Sequence, residues 1–349
     1  MKNSIQAVYT TTTENEKVLI TCTGRCFDEI VADGESVTIS DDDVAYTFKG
    51  AGQHRVILRL RPEATTLDCC FNDCLSLTFA DLTGVDARNI RSMNFMFCSC
   101  SLLSSVNLIG ADTRNVEDMS AMFEGCTSLV SVNLTGIDTR NVEKMNCMFR
   151  RCSLLTSIEL SPLDTSKVED MSSMFEDCSS LTSIDLSPLD TKNVRSMSFM
   201  FEGCTSLMSI NLSGVDTGNV ENMGCMFEYC LSLASINLSS LDTKSVKDMG
   251  SMFEYCSSLT SIDLSSLDTR NVRSMSYMFN GCRSLVSANL SGIDTRNVEG
   301  MSSMFKGCSS LASLDFPTLD INKAMYIGQM FEGCPFQLKT YIVKKGDKE

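Results

Sequence analysis

Residues 119–142 read MSAMFEGCTSLVSVNLTGIDTRNV, and variants of this stretch follow one another along most of the chain. The period is 26 residues: a Phe recurs from Phe71 to Phe331 and is followed three residues later by a Cys, from Cys74 to Cys334. No insertion interrupts this spacing. A strict period of this length indicates that one coil cannot bury its apolar residues alone and that stacked coils share a core. The sequence therefore predicts a repeat solenoid.

Each coil combines two apolar patterns. Leu129-x-x-Val132-x-Leu134 has the spacing of a leucine-rich repeat, which predicts a short strand that pairs in parallel with its copies in neighbouring coils. The residues from Val142 to Cys152 show three- and four-residue apolar spacings, which favour one or two short helical turns on the opposite side. The fold class that we predict is thus a leucine-rich-repeat-like solenoid with short parallel β-strands on one side and short helical turns on the other.

One further motif carries a resemblance. From Met174 to Val194 the chain reads Met-Phe-x-x-Cys-x-Ser-Leu-x-x-Ile-x-Leu-Ser-x-x-Asp-Thr-x-x-Val. This pattern resembles the BspA-type leucine-rich repeats of bacterial surface proteins, and it is particularly similar to the 26-residue variant of mycoplasma lipoproteins and gut bacteria. The resemblance covers roughly residues 67–337. It implies a non-catalytic surface or adhesion protein whose relatives bind proteins of a host or of neighbouring cells.

The two ends of the chain lack the regular repeat. Residues 1–66 predict short strands at 5–9, 18–21, 36–39, 46–49 and 55–60, with a hairpin at Gly50-Ala51-Gly52 and a turn at Asp33-Gly34. An open solenoid end exposes apolar surface and sheet edges, so we expect 1–66 to be a small β-strand-rich N-terminal cap domain. The solenoid of about ten repeats then occupies 67–337, and 338–349 form a C-terminal strand and charged tail. The consensus decays in the last coil at Phe316, Ile321 and Ile327, as in a capping repeat.

Charge and composition argue against several function classes. Lys and Arg total 29 against 44 Asp and Glu, a net charge of −15 that disfavours nucleic-acid partners. One histidine, His54, leaves little material for general-base catalysis or for zinc sites, so we expect no enzyme, no cofactor and no metal. No run approaches the roughly 20 apolar residues of a transmembrane segment. The start, Met1 to Gln6, has no apolar signal core, so we expect a cell-surface or secreted protein if an export signal was removed, and a cytoplasmic one if Met1 is the native start.

Eleven of the eighteen cysteines occupy one repeat position. We interpret them as a ladder of small buried thiols beside the Phe ladder, and we expect them to be reduced because parallel side chains rarely have disulfide geometry. For Cys22 and Cys26, a disulfide bridge and a shared metal ion are open alternatives, and ordinary packing is the favoured interpretation. The cysteines off the ladder are Cys22, Cys26, Cys69, Cys70, Cys98, Cys147 and Cys225.

Two charged rows also follow the period. A residue present in every coil serves the coil, so we interpret the Asp row from Asp86 to Asp320 as turn caps, with Ca²⁺ binding as the weaker alternative. A basic row two positions later is expected to pair with acidic neighbours as a solvated stripe. Its members are Arg88, Arg114, Arg140, Lys192, Lys244, Arg270 and Arg296.

A partner can be recognised only through residues that differ between coils. The strands carry a regular outward row of Ser residues, from Ser105 to Ser313. This row is consistent either with glycan binding or with a simply hydrated sheet face. The variable rows contain exposed aromatic residues amid carboxylates, which are typical anchors of protein interfaces, although stacking between coils would equally explain the tyrosines. The candidate partner-binding residues are Tyr229, Tyr255, Phe199, Tyr277, Glu202, Glu228 and Glu254. The same variable rows also contain Phe95, Cys147, Cys225, Glu124, Arg150, Glu176 and Lys306.

These observations favour a non-catalytic binding or adhesion protein that recognises proteins or glycans at a cell surface through a long repeat surface. The alternative is an intracellular or virion-associated protein-interaction scaffold, which the many expected thiols would suit. The identity of the ligand, the face that binds it and the oligomeric state lie beyond the sequence.

Overall fold

In the computed structural model, residues 3–316, 323 and 326–335 are described, and they form a β-solenoid behind an N-terminal β-region. The predicted leucine-rich-repeat-like solenoid is confirmed. Contacts divide the chain into two units, the first comprising Met1–Asp170 with Met174–Leu181 and the second comprising Met171–Ser173 with Thr182–Glu349. Ile321, the predicted strand within 338–343 and the charged tail lie outside the described residues. No helix in the described part of the chain is long and apolar enough to cross a membrane.

The N-terminal region of the first unit contains six strands and one 3-10 turn. They are β1 (Ser4–Thr11), β2 (Glu16–Thr21), the turn Gly24–Cys26, β3 (Phe27–Ala32), β4 (Glu35–Ser36), β5 (Val44–Phe48) and β6 (Gly52–Leu60). The strands alternate buried and exposed residues, as a sheet with one covered face requires. β3 was not predicted, because Asp28 and Glu29 interrupt its apolar pattern, and the strand predicted at 36–39 is reduced to the two residues of β4.

The hairpin predicted between β5 and β6 is wrong. β5 pairs antiparallel with β2, whereas β6 pairs with β1 and β3. The chain therefore passes from one sheet to another at Gly50 to Gly52 instead of turning back on itself. Both strands bury one face, and the ring of Phe48 at the end of β5 stacks on that of His54 in β6 with centroids 4.0 Å apart. Packing between layers thus replaces the ladder that a hairpin would have formed.

The N-terminal region continues directly into the repeats. β1 pairs antiparallel with β7 (Leu77–Asp81), the strand of the first coil, and β7 pairs in parallel with β8 (Ser105–Asn107) of the next coil. The six-stranded sheet has the order β4-β3-β6-β1-β7-β8. The edge of β7 that faces away from the second coil is therefore occupied by β1 and does not present unpaired backbone groups.

The later coils carry three-residue parallel strands on the strand side. In the second unit these are β9 (Ser183–Asp185), β10 (Ser209–Asn211), β11 (Ser261–Asp263), β12 (Ser287–Asn289) and β13 (Ser313–Asp315). Their central residues point into the core, while the Ser and Asn or Asp residues on either side face outward. The predicted exposed Ser row is confirmed, and amide side chains bridge adjacent coils within it, as Asn211 does with Asp185 at 2.9 Å.

In the described coils, the opposite side, which we call the turn side, consists of tight turns and not of helix. From Met119 to Gly125, alternate N–H groups donate to carbonyl oxygens 25 residues later, in the next coil. The N–H groups of Met122 and Glu124 donate to the carbonyl three residues earlier, as in a 3-10 turn, whereas that of Ser120 donates to Asp118 Oδ1. Ala121 and Gly125 have φ of 54° and 71°. Two left-handed residues four positions apart interrupt the right-handed path, so the predicted helical spacing does not continue into a helix.

Within each unit, the core is built from ladders of identical residues. Consecutive Phe rings from Phe71 to Phe175 stack with centroids 5.3–5.6 Å apart, and those from Phe201 to Phe331 do so at 5.3–5.7 Å. The adjacent Cys row is buried, which confirms the predicted thiol ladder. Burial raises the pKa of these thiols, as at Cys126 and Cys256. They are held neutral at physiological pH.

An Asp-Thr-x-Asn segment closes the coil that contains Asp138 and most of the other described coils. Asp138 Oδ1 accepts a hydrogen bond from the backbone N–H of Arg140 and pairs with its guanidinium at 2.9 Å. Thr139 is buried and bonds both the N–H and the carbonyl of Asp164 in the next coil, whereas Asn141 donates to the carbonyl of Arg114 in the preceding one. The predicted turn caps and the paired basic stripe are both confirmed in coils of each unit.

Candidate partner-binding surface

Seven predicted residues lie on the turn side of consecutive coils in the second unit. We call them the aromatic–acidic patch: Phe199, Glu202, Glu228, Tyr229, Glu254, Tyr255 and Tyr277. They belong to three rows of the repeat, since 26 residues separate equivalent positions. At about 4.8 Å per coil, Phe199 and Tyr277 stand roughly 14 Å apart at opposite ends of the patch.

Tyr229 and Tyr255 form the centre of the patch. Their rings stack with centroids 4.8 Å apart and an interplanar angle of 12°. Tyr229 remains 42% exposed, while Tyr255 is half-buried. Burial, followed by the proximity of Tyr255, raises the pKa of the Tyr229 hydroxyl, so this hydroxyl stays neutral and can donate a hydrogen bond near pH 7.

The next coil supports this pair by carrying no side chain at the equivalent position. A Cβ atom added to Gly281 would lie 2.5 Å from Cδ1 of Tyr255, so the tyrosine ring rests against the glycine backbone. Gly281 has φ of 75°, as the row requires. The stack therefore extends over three coils, from Tyr229 across Tyr255 to Gly281.

The two tyrosines occupy a strained backbone position. Tyr229 and Tyr255 both have φ of 58°, in a row where Gly125, Gly203 and Gly307 satisfy the same left-handed conformation without a side chain. A bulky residue there costs on the order of 1 kcal/mol. Arg151 and Asp177 also have positive φ in this row, so the same cost accompanies any side chain there.

The carboxylates beside the tyrosines have neutral side-chain partners. Glu254 accepts hydrogen bonds from Ser251 Oγ at 2.6 Å and from Asn280 Nδ2 at 2.7 Å. Glu228 is hydrogen-bonded to the thiol of Cys225. Its pKa is raised, first by burial and also by the charge of Glu254. Within the described part of the chain, neither Glu228 nor Glu254 is in a salt bridge.

The equivalent row of the first unit is partly neutralised. There Arg150 lies between two carboxylates, 3.2 Å from Glu124 and 2.7 Å from Glu176. The same repeat position thus carries an internal Arg clamp in one unit and closely spaced carboxylates in the other. An added cation is the chemical complement of the second arrangement.

The edges of the patch are more loosely related to its centre. Phe199 is 39% exposed and Tyr277 is 43% exposed, in a row whose residues also have positive φ. No ring contact joins either of them to the tyrosine stack among the described residues. The structure therefore brings the two tyrosines and the neighbouring carboxylates together and places Phe199 and Tyr277 at the periphery.

Sequence reasoning missed the supporting residues. Gly281, Asn280, Ser251 and Cys225 hold the patch through backbone room and hydrogen bonds. One signal was present in the sequence: tyrosine replaces glycine twice in succession in a row that is otherwise rich in small or polar residues.

Comparison with known proteins gives matches to repeat proteins. The model of the family described as "Mycoplasma protein of unknown function, DUF285" matches residues 65–180, 131–237, 155–261 and 231–341. No curated protein matches the chain.

Three solved structures match at low identity, and two of them are leucine-rich repeat proteins. A leucine-rich repeat protein of T. pallidum is 20% identical over 70% of this chain and 84% of its own, with a TM-score of 0.30. A leucine-rich repeat protein from Eubacterium ventriosum is 14% identical over 75% and 83%, with a TM-score of 0.38. The Drosophila Toll–Spatzle complex matches at 15% identity over 72% of this chain and 42% of that one, with a TM-score of 0.27.

Proposed function

This chain belongs to the DUF285 family of mycoplasma proteins, and we propose that it is a non-catalytic binding protein that holds a cationic segment of a protein partner on the aromatic–acidic patch. The observation that carries the proposal is the stacked pair Tyr229–Tyr255 beside Glu228 and Glu254, which have no internal counter-charge among the described residues. Aromatic rings next to carboxylates bind Arg and Lys side chains through both cation–π and charge-assisted contacts.

The acidic row supplies the charge preference. Glu254 raises the pKa of Glu228, which means that the two negative charges destabilise one another in the unbound protein. A guanidinium or ammonium group between them relieves that repulsion. This relief contributes favourably to the binding free energy. An anionic partner would add to the repulsion, and the net charge of −15 acts in the same direction.

The tyrosines supply the anchor. Aromatic residues dominate interface hot spots because they bury a large area with little loss of side-chain entropy. The stack on Gly281 fixes the ring of Tyr255 before a partner arrives. The side-chain entropy of Tyr255 is therefore lost when the protein folds, and less of it is lost on binding. Phe199 and Tyr277 then extend the contact on either side.

Selection of peptides from a random display library tests this proposal. The wild-type chain is the bait, and the double variant Tyr229→Ser/Tyr255→Ser is used for counter-selection, because Ser99 already occupies this row in another coil. We expect a consensus that contains Arg or Lys, and a loss of affinity of at least about 30-fold in the double variant, as for hot-spot tyrosines. Peptides without a basic residue, or peptides that bind the double variant equally well, would refute the proposal.

Two glycine variants provide a matched pair. Gly281→Ala and Gly307→Ala introduce the same left-handed strain, since φ is 75° and 74°, but only the first places a Cβ against Tyr255. We expect Gly281→Ala to weaken binding of the selected peptide and Gly307→Ala to leave it unchanged. Equal effects of the two variants would show that backbone strain, and not the position of the Tyr255 ring, governs binding.

The proposal also concerns whether binding takes place at the cell surface or inside the cell. The resemblance to BspA-type repeats supports a place at a cell surface and a role in adhesion, whereas the many thiols support the alternative of an intracellular or virion-associated scaffold. Protease treatment of intact cells of the source organism separates the two. Loss of the protein from intact cells supports surface display, and protection until lysis supports the intracellular alternative. A glycan bound equally by the double variant would point instead to the exposed Ser row.

A further inference from the structure

The two outer faces of the tyrosine stack differ in what they meet. Because the rings of Tyr229 and Tyr255 are nearly parallel, each has an inner face against the other ring and an outer face toward the next coil on its own side. The outer face of Tyr255 rests against the backbone of Gly281. The outer face of Tyr229 looks toward the coil of Gly203, and Tyr255 is its only ring contact among the described residues. Tyr229 is also the more exposed of the two tyrosines.

The row of the tyrosines has no side chain in the coil that precedes Tyr229. Gly203 occupies the same repeat position, and its N–H donates to the carbonyl of Glu228 at 2.8 Å, just as the N–H of Tyr229 donates to the carbonyl of Glu254. We call the space that a side chain at Gly203 would occupy the Gly203 layer. At about 4.8 Å per coil, a group in this layer lies within the roughly 6 Å of a ring centroid at which a cation is attracted to an aromatic face.

Carboxylates lie around the same ring. Glu202 directly precedes Gly203, and Glu228 directly precedes Tyr229. Burial is the largest cause that raises the pKa of the Tyr229 hydroxyl, and the charges of Glu228, Glu254 and Glu202 raise it further, so all three carboxylates are near this side chain. A cation in the Gly203 layer would therefore meet an aromatic face and negative charge together.

The first unit shows that an arginine fits this row. Arg151 holds the position equivalent to Gly203, with φ of 59°, and its guanidinium pairs at 3.7 Å with Asp177 of the same row in the next coil. One position earlier, Arg150 reaches Glu124 and Glu176 through different nitrogen atoms. A guanidinium on the turn side can thus bond carboxylates of more than one coil at once.

We infer that the Gly203 layer is a slot for the guanidinium of a partner's arginine, stacked on the outer face of Tyr229 and bonded at its edge to Glu202 and Glu228. The inference rests on the proposed function and narrows its cationic segment to one that presents arginine. A guanidinium carries its N–H donors in its own plane, so it can stack on a ring and still reach carboxylates at the side. The ammonium group of lysine has no flat face, so it cannot make both contacts equally well.

Two short peptides test the choice between arginine and lysine. The probes are acetyl-Gly-Gly-Arg-Gly-Gly-amide and the same peptide with lysine, titrated to millimolar concentration against the full chain with carbon-13-labelled tyrosine rings. The NMR signal of Tyr229 is identified by its loss in the Tyr229→Phe variant, which retains the aromatic face. We expect the arginine peptide to shift this signal and to bind at least about tenfold more tightly than the lysine peptide. Equal affinities would overturn the inference.

A pair of glycine variants tests the position of the slot. Gly203→Tyr adds a third ring to the stack, in a row that already contains two tyrosines, and should weaken binding of the arginine peptide at least about tenfold. Gly307→Tyr is the matched control, since Gly307 has φ of 74° in the same row and unit and lies two coils from Tyr255. It should leave binding unchanged, and circular dichroism checks that both variants fold. Unchanged affinity in Gly203→Tyr would contradict the slot.

The outcomes separate the slot from the proposed function. Equal binding of both peptides, or an equal loss of affinity in both glycine variants, would remove the arginine slot and leave the patch as a site for cations in general. Failure of both peptides to shift the Tyr229 signal would overturn the proposed function and the slot together.

Discussion

The thiol of Cys126 donates a hydrogen bond of 3.1 Å to the carbonyl oxygen of Phe97, which lies 29 residues earlier in the preceding coil. The same bond recurs from Cys152 to Phe123 and from Cys256 to Phe227. The sulfur therefore fills space beside the stacked rings and also satisfies a buried carbonyl. This double role explains why one residue type fits the position in every coil.

Replacement of Cys126 by Ala should destabilise the first unit. The change removes the bond to Phe97 and leaves a small void in a closely packed core, for an expected loss of about 1–2 kcal/mol in unfolding free energy. Urea unfolding followed by circular dichroism measures it. Cys147→Ala is the control, because Cys147 is only half-buried and Ala121 already occupies its row. A loss at Cys147 as large as that at Cys126 would argue against the ladder bond.

Alkaline pH should unfold the protein through the same ladder. Burial raises the folded-state pKa of these thiols above the ordinary value of 9.0, to about 12 at Cys282. The unfolded chain releases the protons first, so the stability is fully present below pH 9 and is lost as the pH rises toward the folded-state pKa. Each such thiol contributes about 1.4 kcal/mol per pH unit to the slope.

Urea midpoints measured from pH 8 to pH 10.5 under reducing conditions check this expectation. Cys126→Ala removes one titrating thiol and should lower the slope by about 1.4 kcal/mol per pH unit. A midpoint that stays constant across this range would show that the thiols are not held neutral by burial.

Thr139 should tolerate Ser better than Val. Its Oγ1 donates to the carbonyl of Asp164 at 2.9 Å and accepts from the Asp164 N–H at 2.8 Å. Val keeps the shape but leaves both backbone groups without this partner, for an expected loss of about 1–3 kcal/mol, whereas Ser retains both bonds. Thermal melts of the two variants compare them directly. The contact between coils would be unimportant if Thr139→Val melted at or above Thr139→Ser.

Leu129→Asp should split or unfold the first unit. Leu129 is completely buried beneath the strand side, and an unpaired carboxylate there costs several kcal/mol. Because each coil contacts only its neighbours, the array on either side of the substitution loses cooperativity. Circular dichroism during urea titration should show a broadened or multiphasic transition. Val130→Asp is the matched control, since Val130 is exposed and its substitution should leave a single transition.

Much of the fold could be predicted because every signal is repeated in successive coils. The Phe and Cys ladders and the Asp caps each recur with the period, so errors at single positions average out. The turn side was less accessible, because left-handed residues such as Ala121 leave no mark in an apolar pattern with helical spacing. In the N-terminal region nothing repeats, and the partner of β5 was decided by packing of Phe48 on His54, which local turn signals do not encode.

Part of the candidate site could likewise be predicted from the sequence, and part could not. The 26-residue spacing alone brings Tyr229 next to Tyr255, and the carboxylates follow from their own row. The support by Gly281 and the hydrogen bonds from Ser251 and Asn280 depend on side-chain directions at left-handed positions, which require coordinates.

The backbone and side-chain bonds between coils join the same repeat positions throughout each unit. Removal of any 26 consecutive residues from the middle of an array, such as 127–152, brings a residue of each row beside its own equivalent. The backbone contacts between coils are then remade with a new neighbour of the same kind, although the ion pairs of Arg150 with Glu124 and Glu176 are lost with the deleted coil. The gene for such a chain can lengthen or shorten by whole coils through unequal recombination while the protein still folds, and each coil gained or lost changes the stability by the contribution of one coil and its interface.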